Sequence, residues 1–249
     1  MDKDYYKLYY KVEREHWWFK VRLNIIEDNI RALNLASDCK ILNVGAATYK
    51  TSEMLKTIGH VESLEYDKDC CEFVSNYLKQ PITQGSATEL PYDDDTFNLV
   101  CAFDVIEHIE DHQLAMDEIR RVCKGFIFIT VPAFNSLWSN HDVINHHFRR
   151  YKKSTLTELT KEYKDIELKR LTYFNALLFL PIAILRLASN LVKNRKAESD
   201  FKYFDSNSLL NKLFGMIFQI ERKLLKLINF PVGVSLLMLL KYSENNKGE

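Results

Sequence analysis

The chain has no excess of charge of either sign: lysine plus arginine and aspartate plus glutamate number 34 each in 249 residues. That balance argues for neither a nucleic acid nor an acidic polymer as partner, so any such claim would need a local cluster. Cysteine is sparse. The five thiols (Cys39, Cys70, Cys71, Cys101 and Cys123) are odd in number and none has the C-x-x-C spacing of a zinc or redox site. They are expected as reduced, mostly buried residues of a cytoplasmic protein. The amino terminus, Met1-Asp-Lys-Asp-Tyr-Tyr6, shows no apolar core of a secretory signal. A membrane-length apolar run is missing too. The most apolar stretch, Phe174–Val192, is free of charge over only about fifteen residues between Arg170 and Arg186, short of the roughly twenty a bilayer requires. It suits an amphipathic cap or an interfacial helix, since Lys193, Arg195 and Lys196 follow directly. There is no internal repeat, and the only low-complexity tract is the polar tail 243–249.

Hydrophobic residues make up 47% of the chain, enough for one sizeable core. From Lys40 onward short apolar runs alternate with helical patterns. Strands are expected at 40–45, 61–65, 82–85, 99–103, 126–131 and 166–173, with helices at 51–58, 68–79, 112–123 and 154–163 between them. Such alternation implies βαβ units, hence an α/β, Rossmann-like, mainly parallel sheet with helices on both faces. Residues 5–34 read as an aromatic-rich N-terminal helix, and 208–228 as an amphipathic helix after a polar linker at 197–207. The expected organisation is an N-terminal helical cap (1–36), the Rossmann-like core (37–173), an apolar helical insertion (174–229), a last core strand (230–242) and the tail (243–249).

Three clusters carry chemistry. The run Lys40-Ile-Leu-Asn-Val-Gly-Ala-Ala-Thr-Tyr49 is an apolar strand, a small-residue turn and a helix start, where backbone N–H groups can approach a polar ligand. Glu65 ends the next apolar run about twenty residues later, the spacing at which a carboxylate grips a ribose diol. A nicotinamide-dependent dehydrogenase shares that carboxylate but needs a fuller glycine fingerprint than this turn offers. The second cluster, Glu15-His-Trp-Trp-Phe-Lys-Val-Arg22, is either a helix packing two tryptophans on the core or an aromatic lid with His16, Trp17 and Arg22 facing a substrate. The third is His141, Asp142, His146, His147, Arg149, Arg150 and Tyr151. It reads either as a polar loop bonding its own backbone or as a pocket in which arginines hold an anion and His141 or His147 acts as base. A metal at the imidazoles and Asp142 is the weaker alternative, and none is expected. Glu107-His108 follows the fourth strand, either at a ligand rim or as helix-start residues satisfying backbone groups.

In order and spacing, several segments resemble a class I S-adenosylmethionine-dependent methyltransferase of the type 11/12-like branch. They are His16-Trp-Trp-Phe19 with Arg22, Ile41–Gly45, Glu65, Gly85-Ser-Ala-Thr-Glu-Leu-Pro91, Phe97–Ile109, Ile129–Ala133, and Trp138-Ser-Asn-His-Asp142 through His147-Phe-Arg-Arg-Tyr151. The resemblance implies a seven-stranded sheet with the last strand antiparallel, and S-adenosyl-L-methionine as cofactor. It would place Asn43, Gly45, Ala46 and Ala47 at the methionine part, Glu65 at the ribose, Ser86 and Ala87 at the adenine edge, and Phe103 and Asp104 at the far wall. The family usually has an acidic residue at 43, glycines within 46–49 and an aspartate at 86. The implied activity is O- or N-methylation. The arginine–histidine cluster suggests a small or lipid-linked anionic acceptor, the apolar insertion 174–228 motivates the lipid link and a peripheral membrane contact, and the charge balance suggests no nucleic acid partner. The other reading is a methyltransferase-like binding or scaffold protein with impaired catalysis.

Overall fold

The computed structural model describes residues 3–191 and 208–243. The expected linker at 197–207, Val192 and nearly all of the polar tail lie outside the described residues. In chain order the elements are α1 (Lys3–Glu15), α2 (Trp17–Arg31), β1 (Lys40–Val44), α3 (Lys50–Leu55), β2 (His60–Glu65), α4 (Lys68–Glu72), β3 (Thr83–Gln84), β4 (Phe97–Phe103), α5 (His112–Val122), β5 (Cys123–Pro132), α6 (Asn140–Ile144), α7 (Lys153–Glu158), β6 (Ile166–Phe174), α8 (Phe179–Leu191), α9 (Leu209–Leu225) and β7 (Ser235–Tyr242).

The strands form one seven-stranded sheet in the order β3-β2-β1-β4-β5-β7-β6. β1 to β5 pair in parallel, and β7 runs antiparallel to both β5 and β6. The chain winds outward from β1 to β3, then returns beside β1 as β4. The carboxyl ends of β1 and β4 therefore border the point where the winding reverses, the crevice in which ligands of open α/β sheets sit.

Both faces of the sheet are covered, which is why β1 is buried at every position but its first. Ile41 faces a core shared with Ile25, Ile30, Leu55, Phe218 and Leu225, whereas Leu42 and Val44 face the one built on Met116, Ile119 and Leu156. α9 thus belongs to the core through Phe218 and Leu225, and the Arg222 guanidinium forks onto Asp28 of α2 at 2.7 and 2.9 Å.

Two expected helices divide. The segment 5–34 breaks at His16, whose Nδ1 accepts from the Trp18 N–H at 3.2 Å and caps α2. The helix expected over 68–79 is α4 followed by a wider π turn, Phe73–Tyr77. Among the described residues no helix is long and apolar enough to cross a membrane.

Candidate functional site

The turn after β1 is left-handed at every second residue: φ is +71° at Gly45, +45° at Ala47 and +75° at Tyr49. Only Gly45 is a glycine, and it has to be, because a Cβ there would meet Val105 Cγ2 at 2.4 Å. Ala47 and Tyr49 adopt the same region at a cost of about 1–2 kcal/mol each. Neighbouring contacts hold them there. Glu65, at the end of β2, accepts the Ala47 N–H through Oε2 at 2.9 Å, and the Tyr66 and Asp67 N–H groups through Oε1 at 2.9 and 3.0 Å. One carboxylate therefore ties the two strand ends together. The Tyr49 ring is fully buried in a cluster with Tyr6, Cys70, Phe73 and Val74.

Asn43 lies beneath this turn. Its side-chain amide donates to Ser52 Oγ at 2.8 Å, and Ser63 Oγ donates to the same oxygen at 2.8 Å, all of it buried. The expected contact of Asn43 with cofactor is thus replaced by support of α3, because this face of β1 points at the helix. Ala46 is buried and Ala47 half-buried at the turn itself. Ser86 Oγ shares a 2.7 Å hydrogen bond with Thr88 Oγ1 and accepts the Thr88 N–H at 3.2 Å, next to the buried Ala87.

α1 closes over the same strand ends. The Tyr6 hydroxyl donates to Asp67 Oδ1 at 2.8 Å, the Thr48 hydroxyl donates to Glu13, and Arg14 bonds Glu53 at 2.6 Å. Burial pushes the Glu13 carboxyl above its ordinary range, against the opposing pull of Thr48 and Arg14. No local signal in the sequence marks Tyr6 or Glu13 for this role, since their partners lie 61 and 35 residues away.

Past β4 the polar groups converge from four elements. Asp104, at φ +57°, pairs with Arg22 Nη2 at 2.5 Å, and Arg22 also donates to Thr130 Oγ1 of β5 at 3.2 Å. Phe103 packs edge-on against Phe128 with ring centroids 5.1 Å apart. Glu107 stands on a short 3-10 turn, Ile106–His108, with 0% of its surface exposed. Desolvation, and Asp104 nearby, push its carboxyl well up. The His108 ring packs at right angles on His147 with centroids 4.5 Å apart, and loss of solvent around it pulls His108 down to about 4, so it is neutral at pH 7.

Asp142 organises the loop below. Its carboxylate accepts from His147 Nδ1 at 2.8 Å, from Arg150 Nε at 2.7 Å and Nη2 at 2.9 Å, and from the Ser139 N–H at 2.8 Å. Burial would raise its pKa, but these bonds overcome that and hold it well below the usual carboxylate range. The expected anion-binding role of Arg150 gives way here. It is buried, and its third contact, Nη1 to Ala133 O at 3.1 Å, is also internal. Asp142, engaged in the same way, has no place for an acceptor or a metal.

Arg149 is bonded to the carbonyls of Ile109 and Glu110 at 3.1 and 2.8 Å and remains half-buried. Tyr151 is buried with its hydroxyl on His112 Nδ1 at 2.7 Å. His146 is exposed at φ +54°, and His141 meets the Asn145 amide at 3.3 Å. Of the N-terminal cluster, Arg22 reaches the strand ends. His16 caps its own helix, and Trp17 packs edge-on against Phe214 and Phe218 of α9 at 5.6 and 5.7 Å.

Sheet order, left-handed turn and Glu65 define the class as the methyltransferase form of the Rossmann-like fold. Residues 42–128 match the family model described as a methyltransferase domain. Over that stretch the chain carries a methyltransferase domain and is similar to S-adenosylmethionine-dependent methyltransferases. It is similar to an uncharacterised protein of Methanocaldococcus jannaschii, 23% identical over 63% of this chain and 64% of that one. It is also similar to a probable S-adenosylmethionine-dependent methyltransferase of Mycobacterium tuberculosis, 26% identical over 49% of this chain and 44% of that one. The chain spans less than two thirds of either relative. Among solved structures, a SAM-dependent methyltransferase from Archaeoglobus fulgidus superposes with a TM-score of 0.52 at 17% identity, covering 94% of this chain and 99% of that one. The cyclase SpnF gives 0.56 at 13% identity, covering 88% and 80%. At such identities the likeness is one of fold.

The residues present fit the family's cofactor. The turn keeps its left-handed course despite two lost glycines, and Gly45 keeps the close approach to Val105 that only a glycine allows. Glu65 spends three of a carboxylate's roughly four acceptor positions on backbone, leaving one for a hydroxyl.

Proposed function

We propose that the protein transfers a methyl group from S-adenosyl-L-methionine to a hydroxyl or amine of a small or lipid-linked anionic acceptor. The observation that carries this reading is the direct bond from Ala47 N–H to Glu65, which joins the turn and the ribose-type carboxylate into one cradle at the switch point. The bound cofactor supplies an electrophilic methyl on a sulfonium, and what remains for the protein is alignment, exclusion of water and removal of a proton. Gly45, Ala46 and Ala47 would line the methionine part, the open acceptor position of Glu65 the ribose, Ser86 and Ala87 the adenine edge, and Phe103 and Asp104 the far wall. On the acceptor side, Asp142 holds Nδ1 of His147, so the other ring nitrogen is the one offered to a ligand. Arg149, bonded to carbonyls and not to a carboxylate, keeps a positive charge at the loop surface for an anion.

The lipid-linked acceptor is supported by α8 and α9. Leu209, Leu213, Met216 and Ile220 are exposed along one side of α9, with Lys212 and Lys223 among them, and Leu227 just past its end, while Ile184 and Leu185 are exposed on α8. An apolar stripe with flanking lysines suits the edge of an anionic bilayer. Because α9 also fills the core, the clean test is Met216→Glu with Ile220→Glu, which should abolish co-sedimentation with anionic vesicles. Unchanged co-sedimentation overturns the membrane contact.

Calorimetric titration with S-adenosylmethionine and S-adenosylhomocysteine tests the central reading. Micromolar binding, lost in Glu65→Ala, is expected. One observation favours a scaffold instead: α1 sits on the turn through Glu13 and Tyr6. Absence of binding at millimolar ligand would establish that alternative.

A further inference from the structure

The corner below β4 holds more ligand-forming atoms than protein partners. Neither carboxylate oxygen of the fully buried Glu107 has a hydrogen-bond partner, and Arg22 Nε is also unpaired. Native interiors rarely leave a buried carboxylate without donors, since desolvating its charge costs several kcal/mol unless a cation or donor compensates. Two imidazoles stand beside it. One donor atom each from Glu107, His108 and His147 lies within 4.8 Å of the others. His147 is already oriented through Nδ1 by Asp142, itself clamped by Arg150, and His108 is bonded to the Asn145 backbone. A carboxylate or carbonyl behind a histidine is how metal-ligating imidazoles are held and their tautomer chosen.

We propose that Glu107, His108 and His147 bind one divalent transition-metal ion of the zinc type. Two imidazoles and one carboxylate are donors suited to zinc, cobalt or iron, whereas magnesium and calcium prefer oxygen alone. Bonds of about 2.0–2.1 Å in a tetrahedron place ligand atoms about 3.3 Å apart, so the three atoms draw together by about 1.5 Å at most on binding. The fourth position faces water or an acceptor oxygen. Val105, two residues before Glu107, lies against Gly45, which sets the corner beside the cofactor turn. On the methyltransferase reading, and only for this part, the ion would hold the acceptor's oxygen and favour its deprotonated form. His147 would then serve as ligand and not as base.

The test uses the full chain, stripped with a chelator and titrated with Co2+, followed by its visible absorption, and with Zn2+ in competition. One equivalent is expected, with affinity falling at least about tenfold in Glu107→Gln, in His108→Ala and in His147→Ala, each checked for folding by circular dichroism. Absence of stoichiometric Co2+ binding, or binding unchanged in all three variants, overturns the site. Glu65→Ala should leave Co2+ binding intact. A chain that binds Co2+ but no S-adenosylmethionine would keep this site and refute the methyltransferase reading, and the reverse result would do the opposite.

Discussion

The two sides of the switch point are built on opposite principles. At the β1–β2 side the groups at the turn are matched within the chain except the buried Tyr49 hydroxyl: Glu65 takes three N–H groups, Thr48 is bonded to Glu13, and Asn43, Ser52 and Ser63 satisfy one another. At the β4–β5 side Asp142 is saturated, while Glu107 has nothing on either oxygen. A saturated cradle keeps its shape before a ligand arrives, as preorganised binding requires. An unsaturated buried carboxylate is a demand for a ligand or a proton. The contrast assigns shape to one side and chemistry to the other.

The strongest way to break that contrast is Asp142→Ala, which leaves the buried Arg150 without its carboxylate. Stability in urea should fall by about 3–5 kcal/mol. A loss under 1 kcal/mol would mean that the fork is not structural. Next is Gly45→Ala, which puts a Cβ against Val105 and strains the turn, with an expected loss of about 1–3 kcal/mol and of S-adenosylmethionine binding by calorimetry. Ala47→Gly works in the other direction. Relief of the left-handed strain, less the greater freedom of glycine in the unfolded chain, should raise stability by about 0.5–1 kcal/mol in the same urea assay.

The smallest effect concerns pH. Glu13 is pushed up by burial in the folded state, so its neutral form contributes stability that is complete below the unfolded pKa and lost as pH rises through the folded one. Glu13→Gln should therefore flatten the fall in urea midpoint above about pH 4.3, the unperturbed value for glutamate. A slope identical to that of the unmodified chain would show that α1 does not bury this carboxyl on the turn.

Much of the fold was legible in the sequence because strands and helices here are written in near-neighbour periodicity. The runs 40–45 and 61–65 became β1 and β2, and the final apolar segment became the antiparallel β7. The break at His16 was less visible, since a capping histidine inside an amphipathic pattern leaves the period almost unchanged. Of the candidate site, the sequence located Gly45, Glu65, Asp104 and the histidine–arginine loop, but it did not say which way side chains would turn. Arg149 and Arg150 are adjacent and chemically identical, yet one lies buried in a fork on Asp142 and the other stays at the loop surface.

The sequence by itself determined the order of elements and the spacing of turn to carboxylate, because both follow from residues within one βαβ unit. The tertiary structure alone decided that α1 closes on the turn, that Arg150 is spent internally and that Glu107 is left without a partner. Whether a donor or acceptor is satisfied depends on which distant segments pack against it, and the closing of the sheet at the switch point brings those segments together.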